Sequence, residues 1–574
     1  MCPILLLKVI KKDKQIIGQN IKEMQQVDKS KRIREIENKI DTYFHSHRFM
    51  KLPRSMAIQY LLIAYEEANR LPFLLGKNIP TNESENLALI QNNKYSLTHS
   101  INWASKITKI VPEEIIKDID GDIYTITGEF FYLALSYHGA VSAYTMWSRG
   151  VAEATLVNEN TVQFKYSEEE TRYDMLDMKV SVENEQKHSE GKNITDDKRM
   201  INAKIVIEKS VKQTGPYTIT YSRKGIDCDE IIRIAHKKIK GQTIPPADWN
   251  FYNVTTENFE KFWSALISIC WLHYFALYYA ALNMGIKGGA VASTVIVYTK
   301  DNWIRQLSIW TGLSKQIILQ VLEYHTYSIE HKKPDIVVTP FIFITEKHLA
   351  LAPTLITTSN LGRNLLKHLA NNYSDEYDRN SGVFADNMIS EFCKSIKRKH
   401  FEIFPNLKIP DNKELPDIDI CLLDERNQQV MLCEFKWTIP AAEPYEVFEK
   451  REREKKALDQ LVLLKKYFRD NPTRISKVLN YNEKIKCDNM FFIGVLKNCV
   501  GTAFMFNKDI PIVEYSIFCK LLNESKSLEE TVKCIRERKF LPKKNVDFEV
   551  KNLEYEIGKF KIIWEGCRQI ISEN

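Results

Sequence analysis

The chain has eleven cysteines but no Cys-x-x-Cys pair, and this absence removes two kinds of architecture. Scattered cysteines in apolar settings, such as Cys421 and Cys433, read as reduced core thiols of a cytoplasmic protein. They do not read as a disulfide frame or a zinc site. There is no Walker A loop, no helicase-like motif and no internal repeat, so the chain carries no ATP motor of its own. Neither sign of charge dominates. A net charge of +7 over 574 residues suits a phosphate-bearing partner but does not establish one. The opening MCPILLLKVIKKDKQ puts a short apolar run before its lysines, the reverse of a signal peptide, so no export is expected.

Long uncharged runs are also scarce. From Phe262 to Ile286 there is no Asp, Glu, Lys or Arg, a length that could span a membrane. Five Trp and Tyr residues are spread along it together with Ser264, Ser268, His273 and Asn283, whereas membrane helices gather their aromatics at the interfaces. The reading is a helix buried in a large helical domain, with His273 a satisfied core histidine.

What is present is an ordinary folded composition, 44% hydrophobic and 27% charged, with room for about three domains. Residues 1–370 read as a mainly helical α+β accessory domain that senses or binds substrate. Helical apolar spacing covers Ser55 to Leu71 and Glu129 to Trp147. A β-rich insert is expected over about 152–225, with strands at Thr161–Tyr166, Ala203–Ile207 and Tyr217–Tyr221, and an exposed loop from Glu183 to Arg199. Ser136-Tyr137-His138-Gly139 has neither a glycine elbow nor an acid partner, which argues against a nucleophile there. The polar stretch Asn371–Glu376 marks a boundary, and a second domain follows over 375–574.

Chemistry concentrates in that second domain, in PDIDICLLDERNQQVMLCEFKW, Pro416 to Trp437. Two apolar strands flank turn residues Asp424–Gln429, as in a β-hairpin. A turn centred near Arg426-Asn427 makes opposed residues sum to 853, pairing Asp419 with Glu434 and Asp417 with Lys436. Side chains alternate along a strand, so Glu434 and Lys436 share a face while Cys433, Phe435 and Trp437 take the other. Two acids at the end of an apolar hairpin are costly to bury uncompensated. A hard divalent cation such as Mg2+ compensates them and keeps positions for water and phosphate oxygens. Glu-x-Lys triplets recur elsewhere, as at Glu454–Lys456 and Glu549–Lys551, but only Glu434–Lys436 has both an apolar strand and an acid-headed partner strand. Downstream, Glu443 to Phe468 reads as a charged, then amphipathic helix, with Lys456 and Gln460 one turn apart on one face.

Pro416-Asp417-Ile418-Asp419, Glu434-Phe435-Lys436 and Lys456-Ala457-Leu458-Asp459-Gln460-Leu461, in this order, resemble the motifs of the PD-(D/E)XK nuclease superfamily. The resemblance covers roughly residues 375–520. It implies a restriction-endonuclease-like α/β fold with an αβββαβ core, to which Asn489–Leu496 and Gly501–Phe506 would add strands. It also implies a metal-dependent endonuclease that leaves a 5′-phosphate and a 3′-hydroxyl. Asp419 and Glu434 would hold Mg2+ (or Mn2+), Lys436 would position water, and Gln460, with Lys456, would orient the water or a backbone phosphate. Family members commonly place the acid directly before the apolar run, which favours Asp419; Asp417 is the alternative ligand. Where the family often carries a further acid on the preceding helix, here Gly382–Ile396, this chain has Ala385, with Asp386 and Glu391 as candidate substitutes. The basic run Lys397-Arg398-Lys399 beside this core is a candidate phosphate contact. The implied substrate is DNA, with RNA open, and the implied assembly a homodimer. Nuclease domains joined to large unfamiliar domains suggest bacterial restriction or anti-phage defence with partner proteins, an association rather than a derivation. The rivals are a non-catalytic nucleic-acid-binding or scaffold protein that retains the fold, and a membrane-associated effector using Phe262 to Ile286.

Overall fold

The computed structural model describes residues 29–570 apart from 76–82, 108–114, 190–196, 241, 243, 244, 247, 248, 252, 397–400, 410–414, 442–445, 447–450 and 499–508. Its first half is built from long helices. These include α1 (Arg54–Leu75), α2 (Glu83–Ala104) and α3 (Gly121–Ser148). Ile58, Leu61, Leu62 and Tyr65 of α1 lock against Phe130, Phe131 and Ala134 of α3, so the expected helical spacing is spent on one core. Ser136–Gly139 lies inside α3, where His138 Nδ1 meets His99 Nε2 at 3.2 Å.

The expected β-rich insert is half helical. Strands β1 (Ala152–Asn158) and β2 (Thr161–Tyr166) form a hairpin, and a second small hairpin joins Lys212–Gly215 to Thr218–Thr220. Between them run a helix over Glu168–Ser189 and α4 (Lys198–Ser210). Ala203–Ile207, read as a strand, therefore lies in a helix. Met200, Ala203 and Ile207 are the buried positions of α4, and their spacing of three and four residues outweighs the β-branched bias of the segment. The exposed loop expected from Glu183 begins as helix instead, and much of the rest of it lies outside the described residues.

The uncharged run forms most of α5 (Thr256–Asn283), opened by a Thr255–Asn258 capping box. Among the described residues it is the one helix long and apolar enough to cross a membrane. Here Phe262, Trp263, Leu266, Ile269 and Leu272 are fully buried in the protein core. His273 Nε2 meets the Ser293 carbonyl at 2.8 Å, a satisfied core position. Lys238, in the basic run His236–Lys240, gives its ammonium to the Thr357 carbonyl.

Helices α6 (Leu361–Asn372) and α7 (Ser374–Ser395) lead into a five-stranded sheet. Its strands are β3 (Phe401–Leu407), β4 (Ile418–Asp424), β5 (Gln429–Trp437), β6 (Met490–Lys497) and β7 (Ile512–Glu514), lying side by side in chain order. The first three pair antiparallel and the last three parallel. Pro405, which cannot donate to a ladder, falls on the edge strand β3. Helix α8 (Arg451–Asp470) makes the crossover between the parallel strands β5 and β6 and packs on that face through Leu461, Leu464 and Phe468. Helix α7 covers the other face together with α9 (Tyr515–Glu524) and α10 (Leu528–Glu537). The strand expected at Gly501–Phe506 lies outside the described residues; β6 pairs instead with Ile512–Glu514.

The two halves do not part at 370–375 as expected. Only Tyr373 separates α6 from α7, and Tyr377 and Phe384 of α7 belong to the same buried cluster as α5. More decisively, β8 (Phe548–Ile557) and β9 (Phe560–Gln569) leave the second half altogether. They form a four-stranded sheet in the order β1-β2-β9-β8, with Phe164 opposite Trp564. Ile557, Phe560 and Ile562 close the core of α1 and α3, where local sequence alone cannot show that their apolar partners lie.

Candidate active site

The hairpin holds the expected register. Asp424 opposes Gln429 and the ladder runs to Ile420 opposite Cys433, every pair summing to 853. The Asp424 carboxylate accepts from the Asn427 backbone and side chain, at 3.3 and 2.8 Å, and so fixes the turn. One residue beyond the last pair, Asp419 Oδ2 accepts from the Phe435 amide at 2.7 Å. Asp419 and Glu434 therefore face each other across the strand ends, and Lys436 donates to Glu434 Oε1. Cys421, Leu423, Leu432 and Phe492 place this face of the sheet under α8.

The electrostatics of the pair are strained. Glu434 is 2% exposed and its Oε2 has no hydrogen-bond partner. Burial, and then the charge of Asp419, push the Glu434 carboxyl up to about 7. Burial likewise raises Asp419, opposed by the Phe435 amide and by Lys436. Next to Glu434, on β6, stands Gly494, which presents no side chain to the acids; a Cβ there would press Ile512 Cγ1 at 3.1 Å.

This donor set fits a small divalent cation. Glu434 Oε2 is a buried acceptor that no donor reaches, and the Asp419 carboxyl lies against the same acid. Two carboxylates are what Mg2+ usually takes from protein, with water and phosphate oxygens completing its shell. No group of three or more His, Cys, Asp or Glu suited to a metal occurs among the described residues, so a tighter all-protein cage is not offered there.

Helix α8 completes the constellation. Ala457, Leu461, Leu464 and Phe468 anchor it at spacings of three and four, leaving Lys456, Asp459, Gln460 and Leu463 on the side away from that seam. Those four, with Lys436 and Trp437, line a cleft of about 590 Å³. Lys456 and Gln460, read from the helical pattern, thus line the same cleft as Lys436, read from the strand. The remaining candidates stand apart. Asp417 is exposed just ahead of β4, close enough to raise Asp419 further. Asp386 is exposed on α7. Glu391 pairs at 2.5 Å with Lys497, whose ammonium also lies over the Tyr515 ring, within the α7/α9 layer and not beside the acid pair. Lys397, Arg398 and Lys399 lie outside the described residues.

Three residues in and around the cleft were missed from sequence: Trp437, Asp459 and Leu463. The signal for the last two was available, since they share the helical stripe of Lys456 and Gln460. Trp437 is set by a distant partner: its ring stacks on Phe384 at 3.9 Å and 7°. The segment joining β5 to α8 is held from the first half. Arg363 Nε donates to the Pro440 carbonyl at 3.0 Å, and Arg363 and Lys367 both pair with buried Glu446.

No protein-family model, no curated protein and no solved structure matches the chain.

Proposed function

We propose that the protein is a metal-dependent nuclease of the PD-(D/E)XK type, hydrolysing phosphodiester bonds in nucleic acid, with DNA the preferred substrate class. One observation carries the reading: Lys436, paired with a buried acid that has an unsatisfied oxygen and faces a second acid, lines a cleft together with Lys456 and Gln460. The strand order and the α8 crossover agree with the αβββαβ core that the motifs imply. Asp419 and Glu434 would hold Mg2+, which when bound supplies charge neutralisation and acidifies a water.

The protein's own groups do the rest. Lys436 orients the attacking water and offsets negative charge growing on the phosphorane. Gln460 holds that water or a non-bridging phosphate oxygen, and Lys456 takes the adjacent phosphate. Water adds to phosphorus, the bond to the 3′ oxygen breaks, and the products are a 5′-phosphate and a 3′-hydroxyl.

The test is purified full-length protein with Mg2+ or Mn2+ and, in parallel, plasmid DNA and single-stranded circular DNA, cleavage of either counting as nicking. Nicking that is lost in Glu434→Gln and Lys436→Ala supports the site. Nicking that survives either substitution rejects it.

A further inference from the structure

We propose that the cleft beside the acid pair seats an unpaired nucleotide, so that the strand cut here is single-stranded next to the scissile phosphate. This rests on the nuclease reading above and names its substrate class.

The argument is one of chemistry along a single groove. Its volume of about 590 Å³ lies within the range of roughly 300–1,000 Å³ typical of small-ligand sites. Its lining combines two cations and an amide, Lys436, Lys456 and Gln460, with the apolar Trp437 and Leu463 and the acid Asp459. A duplex turns phosphates and sugars outward and keeps its base faces stacked inside, so indole and leucine would find nothing to touch on it. An unpaired nucleotide matches the whole lining: a phosphate for the lysines, a base face for Trp437 and Leu463, and a base edge for Asp459. Phe384 covers one face of the Trp437 ring, so what Trp437 gives the cleft is its other face or its edge, held at a fixed angle. Leu463 is 52% exposed, and Val462 beside it 47%. A lone exposed leucine needs no explanation. This one continues the stripe of Lys456 and Gln460 and lines the same cleft.

Binding decides the matter without cleavage. Glu434→Gln protein in EDTA is titrated into a fluorescein-labelled 12-nucleotide DNA of mixed sequence, the same strand annealed to its complement, and the RNA strand of the same sequence. Fluorescence anisotropy is followed at fixed salt. A single strand should bind at least about tenfold more tightly than the duplex, as base stacking on an aromatic platform supplies. Adding Leu463→Gln, an exposed change that leaves the fold alone, or Trp437→Leu, which keeps apolar packing on Phe384, should lower that preference severalfold. Lys456→Ala should weaken single strand and duplex alike. Preference for either the DNA or the RNA strand supports the proposal and identifies the sugar. Equal or tighter duplex binding, no strand binding, or a preference unmoved by both apolar substitutions overturns it. Strand-selective binding by a wild-type protein that cuts neither strand nor duplex would keep the seat for an unpaired nucleotide and remove the nuclease reading. Duplex cutting without strand binding would do the reverse.

Discussion

Glu66 in the helical half and Glu434 in the hairpin are both buried acids with raised carboxyls, near 8 and near 7, and burial is the leading cause in each. Their surroundings differ. Glu66 Oε1 accepts from the Thr354 amide and Oε2 from the Thr354 hydroxyl, both at 2.8 Å, with Tyr274 nearby at 3.5 Å. Glu446 is likewise provided for, between Arg363 and Lys367. Glu434 has a lysine on one oxygen, nothing on the other, and a second acid opposite. A shifted carboxyl alone is thus a sign of burial. What sets Glu434 apart is that its lysine partner, Lys436, also lines the cleft, whereas Thr354, the partner of both Glu66 oxygens, is buried in the core.

The comparison can be attacked most forcefully at Glu446. Arg363→Ala strips a buried acid of its shortest partner and should cost about 3–5 kcal/mol of stability, seen as an earlier denaturation midpoint. A shift below about 1 kcal/mol would mean that Glu446 is not held as described. At Glu434 the large effect should move to activity. Glu434→Gln should lower the cleavage rate by about a hundredfold or more while the melting temperature holds or rises, since an acid disfavoured by burial and by Asp419 has been neutralised. If that substitution unfolds the protein instead, the hairpin acids are structural. Glu66→Ala should show the opposite profile: about 1–3 kcal/mol lost from the orphaned Thr354 donors, with cleavage per folded molecule unchanged.

The smallest effect is in pH. Both acids ordinarily titrate near 4.5 and are raised in the fold, so each stabilises most below that pH. The contribution is lost as pH climbs through about 7 for Glu434 and about 8 for Glu66. Metal-free protein should therefore melt at progressively lower temperature across this window. Mg2+ should oppose only the part belonging to Glu434, so Glu434→Gln should abolish its effect and Glu66→Gln should not. Equal Mg2+ responses in the two variants would erase the distinction between the sites.

The hairpin was legible because its information is local. Alternation fixes the face, the turn fixes the register, and a sum of 853 follows from both. Lys456 and Gln460 were legible for the same reason, being one turn apart on one helix. Ala203–Ile207 misled because β-branched residues also serve helices when the core lies at the right spacing. The placing of Trp437 by Phe384, the hold of Arg363 and Lys367 on Glu446, and the pairing of β9 with β2 join residues far apart in sequence. Pattern along the chain carries no trace of them. Of the two helix acids offered by the sequence, Asp386 is exposed on α7 and Glu391 pairs with Lys497.

The pairing of β2 with β9 also sets a schedule. Phe164 and Trp564 are partners about 400 residues apart, an interval of roughly 20–80 s at synthesis rates of about 5–20 residues per second. All five strands of the sheet bearing the acid pair emerge from the ribosome within that time. Thr161–Tyr166 meanwhile waits with one ladder edge open, able to pair with any passing strand, including that of another nascent copy. The 548–569 hairpin is thus an occlusion step in biogenesis, and chains stalled before it would be expected to enter the aggregated fraction first.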